Sequence, residues 1–521
     1  MRNNCFMLFM LICMGFAACN NSSSFSDGDE FIAQTEEGVD MLFRIISVTD
    51  KTVQVGNGDS KLHPQLNELA AIDQEYYGKV TIPHEVNGFR VIRIAKAAFF
   101  KCKIEYVDIE DGIEALKENA FFDCENLNEI IFPQSLKSIE NAVFFGCSSL
   151  AAINIPQNVD YIAKSAFSRA NLERITVDKE NKKYDSREDC NAIIITATNT
   201  LMQGCKNTKI PNSITTIGEG AFSGAPLRSI DIPESVEYIK DHAFNSCNLE
   251  NIHIPKNVEE IGLHGVFYLK YVKSISVDKN NKRFDSRNNC NAIIESSTNT
   301  LISGCSNTVI PSGVEKIGDN AFWSSRLKKI HIPSNVKEIG NHAFYMSDLQ
   351  EITLSEGLKT IGSHAFEMTD IKNLTIPASV DIIGTDIIDN CYKIEHISVT
   401  EGNRFFDSRN NCNAIIHTSS NSLRVGCKNT SIPNGIIQIE ELAFDDSRSP
   451  SKIVIPETVK EIDEDAFMCY SGIISSLIQS PNDINEDFDY VDTLYVPMGT
   501  KDKYLKAKGW NKAKNIIELE N

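Results

Sequence analysis

The sequence predicts a β-rich repeat solenoid in which short coils stack through parallel strands, and three in-phase patterns predict it. Phe, preceded by Ala or a close variant, recurs at 99, 121, 144, 167, 222, 244, 267, 322, 344, 366, 444 and 467. The steps are 22 or 23 residues apart from jumps of 55, 55 and 78, and the last jump holds a degenerate copy at Ile387-Ile388. An apolar-x-apolar-Pro motif runs in phase with it, as at Ile153-Asn154-Ile155-Pro156, Ile252-His253-Ile254-Pro255 and Leu374-Thr375-Ile376-Pro377. Ile-Gly is the third marker, beginning at 217, 261, 317, 339, 361 and 383. A fixed period of this length denotes stacked supersecondary units rather than separate domains.

Each element of the unit has a physical reading. Alternation in I-x-I buries two side chains and turns the middle one outward. Ten of the 16 prolines directly follow Ile, and Pro ends a strand because it has no N–H for the ladder. Ile-Gly re-enters the core on the far side of the coil, with Gly expected to permit a tight bend. Phe fills the interior. A unit this short cannot bury its apolar face alone, so its neighbours must do so.

These motifs closely resemble the BspA-like branch of bacterial leucine-rich repeat proteins over about residues 80–500. The resemblance implies a right-handed leucine-rich repeat solenoid with strands on one face, short turns or strands on the other, and little helix. The solenoid proper is expected over 89–475, with an N-terminal β cap over 31–88 and a C-terminal cap over 476–521. The latter carries a helix-compatible stretch from Lys501 to Lys508 and then Trp510. Caps are needed because the end units would otherwise expose core.

The long steps contain three copies of one insert, near 178–208, 278–308 and 400–430. In each, two apolar runs flank a Thr/Ser/Asn turn, which reads as a β-hairpin. Cys190/Cys205, Cys290/Cys305 and Cys412/Cys427 lie symmetrically about those turns. Cross-strand partners are close enough for disulfides, which an exported protein can keep. Facing buried thiols are the alternative. Asp185-Ser186-Arg187, Asp285-Ser286-Arg287 and Asp407-Ser408-Arg409 lack the acidic ladder of a calcium loop and read as turn chemistry. The remaining cysteines, 102, 124, 147, 247, 391 and 469, mostly follow the repeat Phe or its stand-in and read as a core column.

Residues 1–18 combine Arg2, an apolar run from Phe6 to Phe16, and Ala17-Ala18, the layout of a signal peptide. Phe16-Ala17-Ala18-Cys19 resembles the lipobox of bacterial lipoproteins, departing at Phe16, where Leu is usual. That resemblance implies lipidation of Cys19 and an outer-membrane lipoprotein exposed at the cell surface. A secretory signal followed by a chance Cys is the other reading. Residues 19–30 read as a flexible, lipid-anchored tether.

With 51 Lys+Arg against 71 Asp+Glu, the net charge of −20 lacks the basic footprint of a nucleic-acid binder. Beyond the N-terminal run no stretch approaches a membrane span, so the membrane is expected to be engaged only through the N-terminal lipid. No nucleophile elbow, zincin helix or P-loop motif occurs, so no catalytic residue, cofactor or enzymatic activity is expected. His242, His264, His342 and His364 recur beside the repeat Phe. Stacking can bring His342 to His364, but a metal needs further ligands, and no metal site is expected. The candidate binding column is the outward residue of I-x-I: Asp108, Asn154, Asp231, His253, His331, Thr353, Thr375 and Tyr495, with Thr176, Ser276 and Ser398 between. BspA-like relatives imply adhesion to host matrix or bacterial surface proteins. The competing class is a glycan-binding component of a polysaccharide-uptake system, for which 2 Trp supply few stacking platforms. A surface scaffold without a small ligand is the third.

Overall fold

The computed structural model describes residues 25–58, 70–262, 270–444, 450–468, 470, 472–485, 488 and 491–520. Cys19, His264, Phe267 and Cys469, with residues 1–18, lie outside them. The chain forms two compact units, Met1–Phe167 and Ser168–Asn521. Each is a β-solenoid. Among the described residues the α-helix is confined to Lys501–Tyr504, shorter than the Lys501–Lys508 expectation.

The I-x-I-P segments form a front face of parallel strands. Lys79–Ile82, Tyr106–Ile109 and Glu129–Ile131 pair in the first unit. In the second unit Asn251–Ile254 pairs Ser274–Val277, Lys329–Ile332 pairs Glu351–Leu354, and Asn373–Ile376 pairs His396–Val399. The register is one repeat, so within each pair an outward residue stands opposite an outward residue, as Thr353 does opposite His331. The x-Ile segments form two-residue return strands such as Lys316–Ile317, Glu338–Ile339 and Thr360–Ile361, also parallel and in register.

A third ladder runs along the Phe corner. The residue before Ala-Phe has positive φ: Asn119 60°, His242 57°, Asn320 59°, His342 52°, His364 56° and Asp386 50°. The residue two after Phe does too, as at Asp123 53°, Met346 56° and Met368 55°. Alternating left-handed residues point every second N–H along the stack. Asn320, Phe322 and Ser324 accordingly donate to the carbonyls of Asn341, Ala343 and Tyr345, at 3.0, 2.7 and 2.9 Å. Asn, Asp and His tolerate this region better than other side chains, which accounts for the histidines of this column.

Inside, the Phe rings stack nearly parallel: Phe99–Phe121–Phe144–Phe167 at 4.9, 5.5 and 5.5 Å, Phe222–Phe244 at 5.4 Å, and Phe322–Phe344–Phe366 at 4.9 and 5.7 Å. The column thiols line the same interior. Cys124, Cys147, Cys247 and Cys391 donate from Sγ to the Phe carbonyl one rung below, at 2.9, 3.1, 3.0 and 3.1 Å. Burial pushes Cys147 and Cys247 up to about 12, so these are packing groups and not nucleophiles.

The Ile-Gly glycines serve a different purpose from the bend expected of them. None of those at 218, 262, 318, 340, 362 and 384 has positive φ. A Cβ on Gly340 would instead meet Asp319 N at 2.7 Å, and one on Gly362 would meet Asn341 N at 2.6 Å. Absence of a side chain lets successive backbones approach closely.

At the N-terminal end, Glu30–Gln34, Asp40–Ser47 and Thr52–Val55 form an antiparallel run. The last of these pairs parallel with Phe89–Ile94 and so extends the return sheet. At the C-terminal end Phe488, Tyr504 and the buried Trp510 pack together, with Trp510 5.0 Å from Phe488 and 5.2 Å from Tyr504.

Candidate interaction surface

The front face is set by strand alternation, so its outward column follows from the fold. Asn154, His253, His331, Thr353 and Thr375 are exposed, while Asp108 and Tyr495 are half-buried. Adjacent members contact one another across rungs. His253 Nδ1 lies 2.9 Å from Ser276 Oγ, and Thr375 Oγ1 3.0 Å from Ser398 Oγ. His331 stands opposite Thr353, and Tyr495 between Ser475 and Ile517.

Asp231 departs from the strand expectation. It is exposed, but residues 230–233 form no paired strand. Parallel pairing to the next rung stops after Glu250 N donates to Arg228 O at 3.1 Å. The column is therefore interrupted at this rung. Within the first unit the column is also occupied at its start. Thr81 is 5% exposed, because Glu37 accepts from its backbone N at 3.1 Å and from its hydroxyl at 2.6 Å. Burial acts to raise the Glu37 carboxyl, but hydrogen bonds from Thr81, the Glu37 backbone and Thr35 together overcome it and hold it below the usual carboxylate range.

The inserts contribute to the return face. Tyr184–Asp185 pairs antiparallel with Ala192–Ile195, which pairs antiparallel with Thr200–Gly204. Thr200–Gly204 then pairs parallel with Thr216–Ile217 and takes the place of a return strand. The same order recurs from Phe284–Asp285 and from Phe406–Asp407. Asp-Ser-Arg is a clamp inside each insert. Arg187 Nε and Nη2 donate to the two Asp185 oxygens at 2.8 and 2.6 Å, and Nη1 donates to Asn199 Oδ1 at 2.9 Å. Asp285 with Arg287, and Asp407 with Arg409, repeat it. Burial acts to raise the Asp185 pKa, but Arg187, Thr196 and a backbone N–H overcome it and hold the carboxyl below its ordinary range.

The insert cysteines Cys190, Cys205, Cys290, Cys305, Cys412 and Cys427 are all buried. Cys205 Sγ donates to Asn191 O at 3.2 Å, while Cys190 Sγ is turned toward Ala192 O at 3.9 Å. Burial pushes Cys412 up to about 11.

Two surface clefts are polar. One of about 570 Å³ is lined by Arg44, Arg93, Lys117 and Glu140, and one of about 490 Å³ by Arg174, Thr176, Asp189 and Asn207. Neither has an aromatic lining residue, so neither supplies a sugar-stacking platform. Of the two tryptophans, Trp510 is buried in the C-terminal core and Trp323 lies against His342 and Tyr345. The residue that sequence reading missed is Glu367. It sits 2.8 Å from His364 Nδ1 and joins His342 and His364 in one cluster. The signal for it was its place three residues after His364, on the positive-φ corner.

Known proteins place the chain as follows. A family model described as BspA type leucine rich repeat region matches in six copies, over residues 74–191, 200–300, 292–416 and 422–491. No curated protein matches the chain. Among solved structures, a leucine rich cell surface protein from Faecalibacterium prausnitzii is 18% identical, with a TM-score of 0.40 and coverage of 94% of this chain and 95% of that one. The pneumococcal vaccine antigen PcpA is 19% identical at a TM-score of 0.37, covering 95% and 100%. A leucine-rich repeat protein from Eubacterium ventriosum is 16% identical at 0.38, covering 95% and 97%. With the repeat matched over most of its length and stacked as that repeat requires, the chain belongs to the BspA type leucine-rich repeat family.

Proposed function

We propose that this protein is a non-enzymatic surface lipoprotein that binds host matrix or bacterial surface proteins through the front face of its solenoid. The observation that carries the reading is the outward column of His253, His331, Thr353 and Thr375, exposed and at repeat register. A parallel stack offers an extended binding surface, and short polar side chains on it can be matched by a partner strand or loop without desolvating a buried charge. Among the described residues no helix is long and apolar enough to cross a membrane. Anchoring is assigned to acyl chains on Cys19, after removal of residues 1–18, with residues 19–30 as the tether. Two or three acyl chains give durable attachment at about 0.8 kcal/mol per buried CH₂. Residues 31–88 and 476–521 act as the caps.

The test has two arms. Protease shaving of intact cells should release the solenoid, and resistance to shaving would remove the adhesive role. The purified chain should show saturable binding to host-surface or bacterial-surface extracts. A His331→Glu, Thr353→Glu variant should lose at least about tenfold in affinity, on the scale of a buried interface contact. Equal binding by this variant would move the site off the front face.

A further inference from the structure

The Phe corner of the second unit carries a constellation that adhesion does not use. His342 and His364 occupy the positive-φ position of successive rungs, and their rings stack at 4.7 Å between centroids and 14° between planes. Glu367 extends from the same rung as His364, with Oε2 2.8 Å from His364 Nδ1 and only 13% of its side chain exposed. That nitrogen is buried, yet the contact lacks the alignment of a hydrogen bond. One ligand atom from each of the three residues lies within 4.8 Å of the others. Trp323 covers one side, its ring stacked against His342 at 6.3 Å, and Tyr345 meets both edge-on. One rung beyond Glu367 stands Asp389, its carboxylate held by Asn390 N and Nδ2 at 2.9 and 3.0 Å.

We propose that His342, His364 and Glu367 form a site for a divalent d-block cation, with zinc the best match. Two imidazoles and a carboxylate are the donor set of zinc sites that keep a fourth position open. Imidazole donors disfavour the hard cations calcium and magnesium, which take all-oxygen shells. Zinc–ligand distances of about 2.0–2.2 Å require donor atoms about 3.4 Å apart in a tetrahedron. Side-chain rotation would have to close the present spread to that while the ladder holds the backbones: His342 N donates to Ser363 O at 3.0 Å and His364 N to Thr385 O at 2.9 Å. The fourth position is left to water or to a partner's side chain.

The experiment is a zinc titration by calorimetry of the purified, untagged chain, with cobalt absorption bands as a second readout. The variants are His342→Asn, His364→Asn and Glu367→Gln. Asn is chosen because Asn320 occupies the same column position at φ 59°, so these variants keep the backbone the rung needs. The expected result is one equivalent of zinc in the parent, visible tetrahedral or five-coordinate cobalt bands, and loss of more than about tenfold in affinity with each variant, since even outer-sphere partners cost that much. Melting curves should shift up with zinc in the parent and stay unmoved in the variants. Failure to bind at micromolar zinc, or affinity unchanged across all three variants, overturns the site.

Discussion

A regular rung and an insert face the same problem, the burial of one Phe ring and one return strand, and they solve it with different contacts. The rung around Phe344 relies wholly on its neighbours. Its ring sits between Phe322 and Phe366, its N–H donates to Ala365 O at 2.8 Å, and its return strand Glu338–Ile339 pairs on both edges. The insert before it carries its own scaffold, an antiparallel hairpin closed by the Asp285–Arg287 clamp. It meets the stack at Gly304, whose missing side chain leaves room for Phe322; a Cβ there would lie 2.1 Å from the ring. Gly204 under Phe222 and Gly426 under Phe444 repeat the device. Stacking therefore makes rungs depend on one another, whereas an insert can begin a new return sheet because its hairpin protects the leading edge. Its outer strand is only two residues long, which limits edge-to-edge pairing.

The sharpest way to break this comparison is to remove a ring from the regular stack. Phe344→Ala should cost about 3–5 kcal/mol, read by chemical denaturation, and hydrogen exchange should show loosening at both neighbouring rungs. A loss confined to one rung would contradict mutual dependence. Next in size is Gly304→Ala, which should destabilise by about 1–3 kcal/mol through overpacking against Phe322. If the parent's stability is retained, the insert is not fitted to the ring as described.

The smallest effect belongs to the clamp. Arg287→Ala should cost about 1 kcal/mol, a charged hydrogen bond discounted for partial exposure. Asp285 is held low because Arg287, Ser296 and a backbone N–H outweigh its burial. Its contribution is thus present above the unfolded Asp pKa near about 3.9 and is lost as pH falls through the lower folded value. The variant should show a shallower loss of stability on acidification below about pH 4, and an identical acid limb would remove the clamp from the account.

Much of this molecule can be read along the chain. Ile153 and Ile155 are buried while Asn154 is exposed, because alternation in an extended strand is a local property. The Phe column follows from the period, since equal spacing must stack equal residues. Cys124 and Cys147 fall in that column for the same reason. The roles of the Ile-Gly glycines were legible only in part, because a glycine signals either a positive φ or a close approach, and only the neighbouring rung distinguishes them.

What the sequence by itself determined was the repeat, its buried and outward faces, and the places where strands stop, because these depend on side-chain periodicity and on proline's missing donor. What the tertiary structure decided was how columns meet. It placed Glu367 against two stacked histidines and left Asp231 outside a paired strand. Those outcomes depend on the offset of one rung over the next and on left-handed backbone at the Phe corner, and neither is written in the spacing of residues along a single coil.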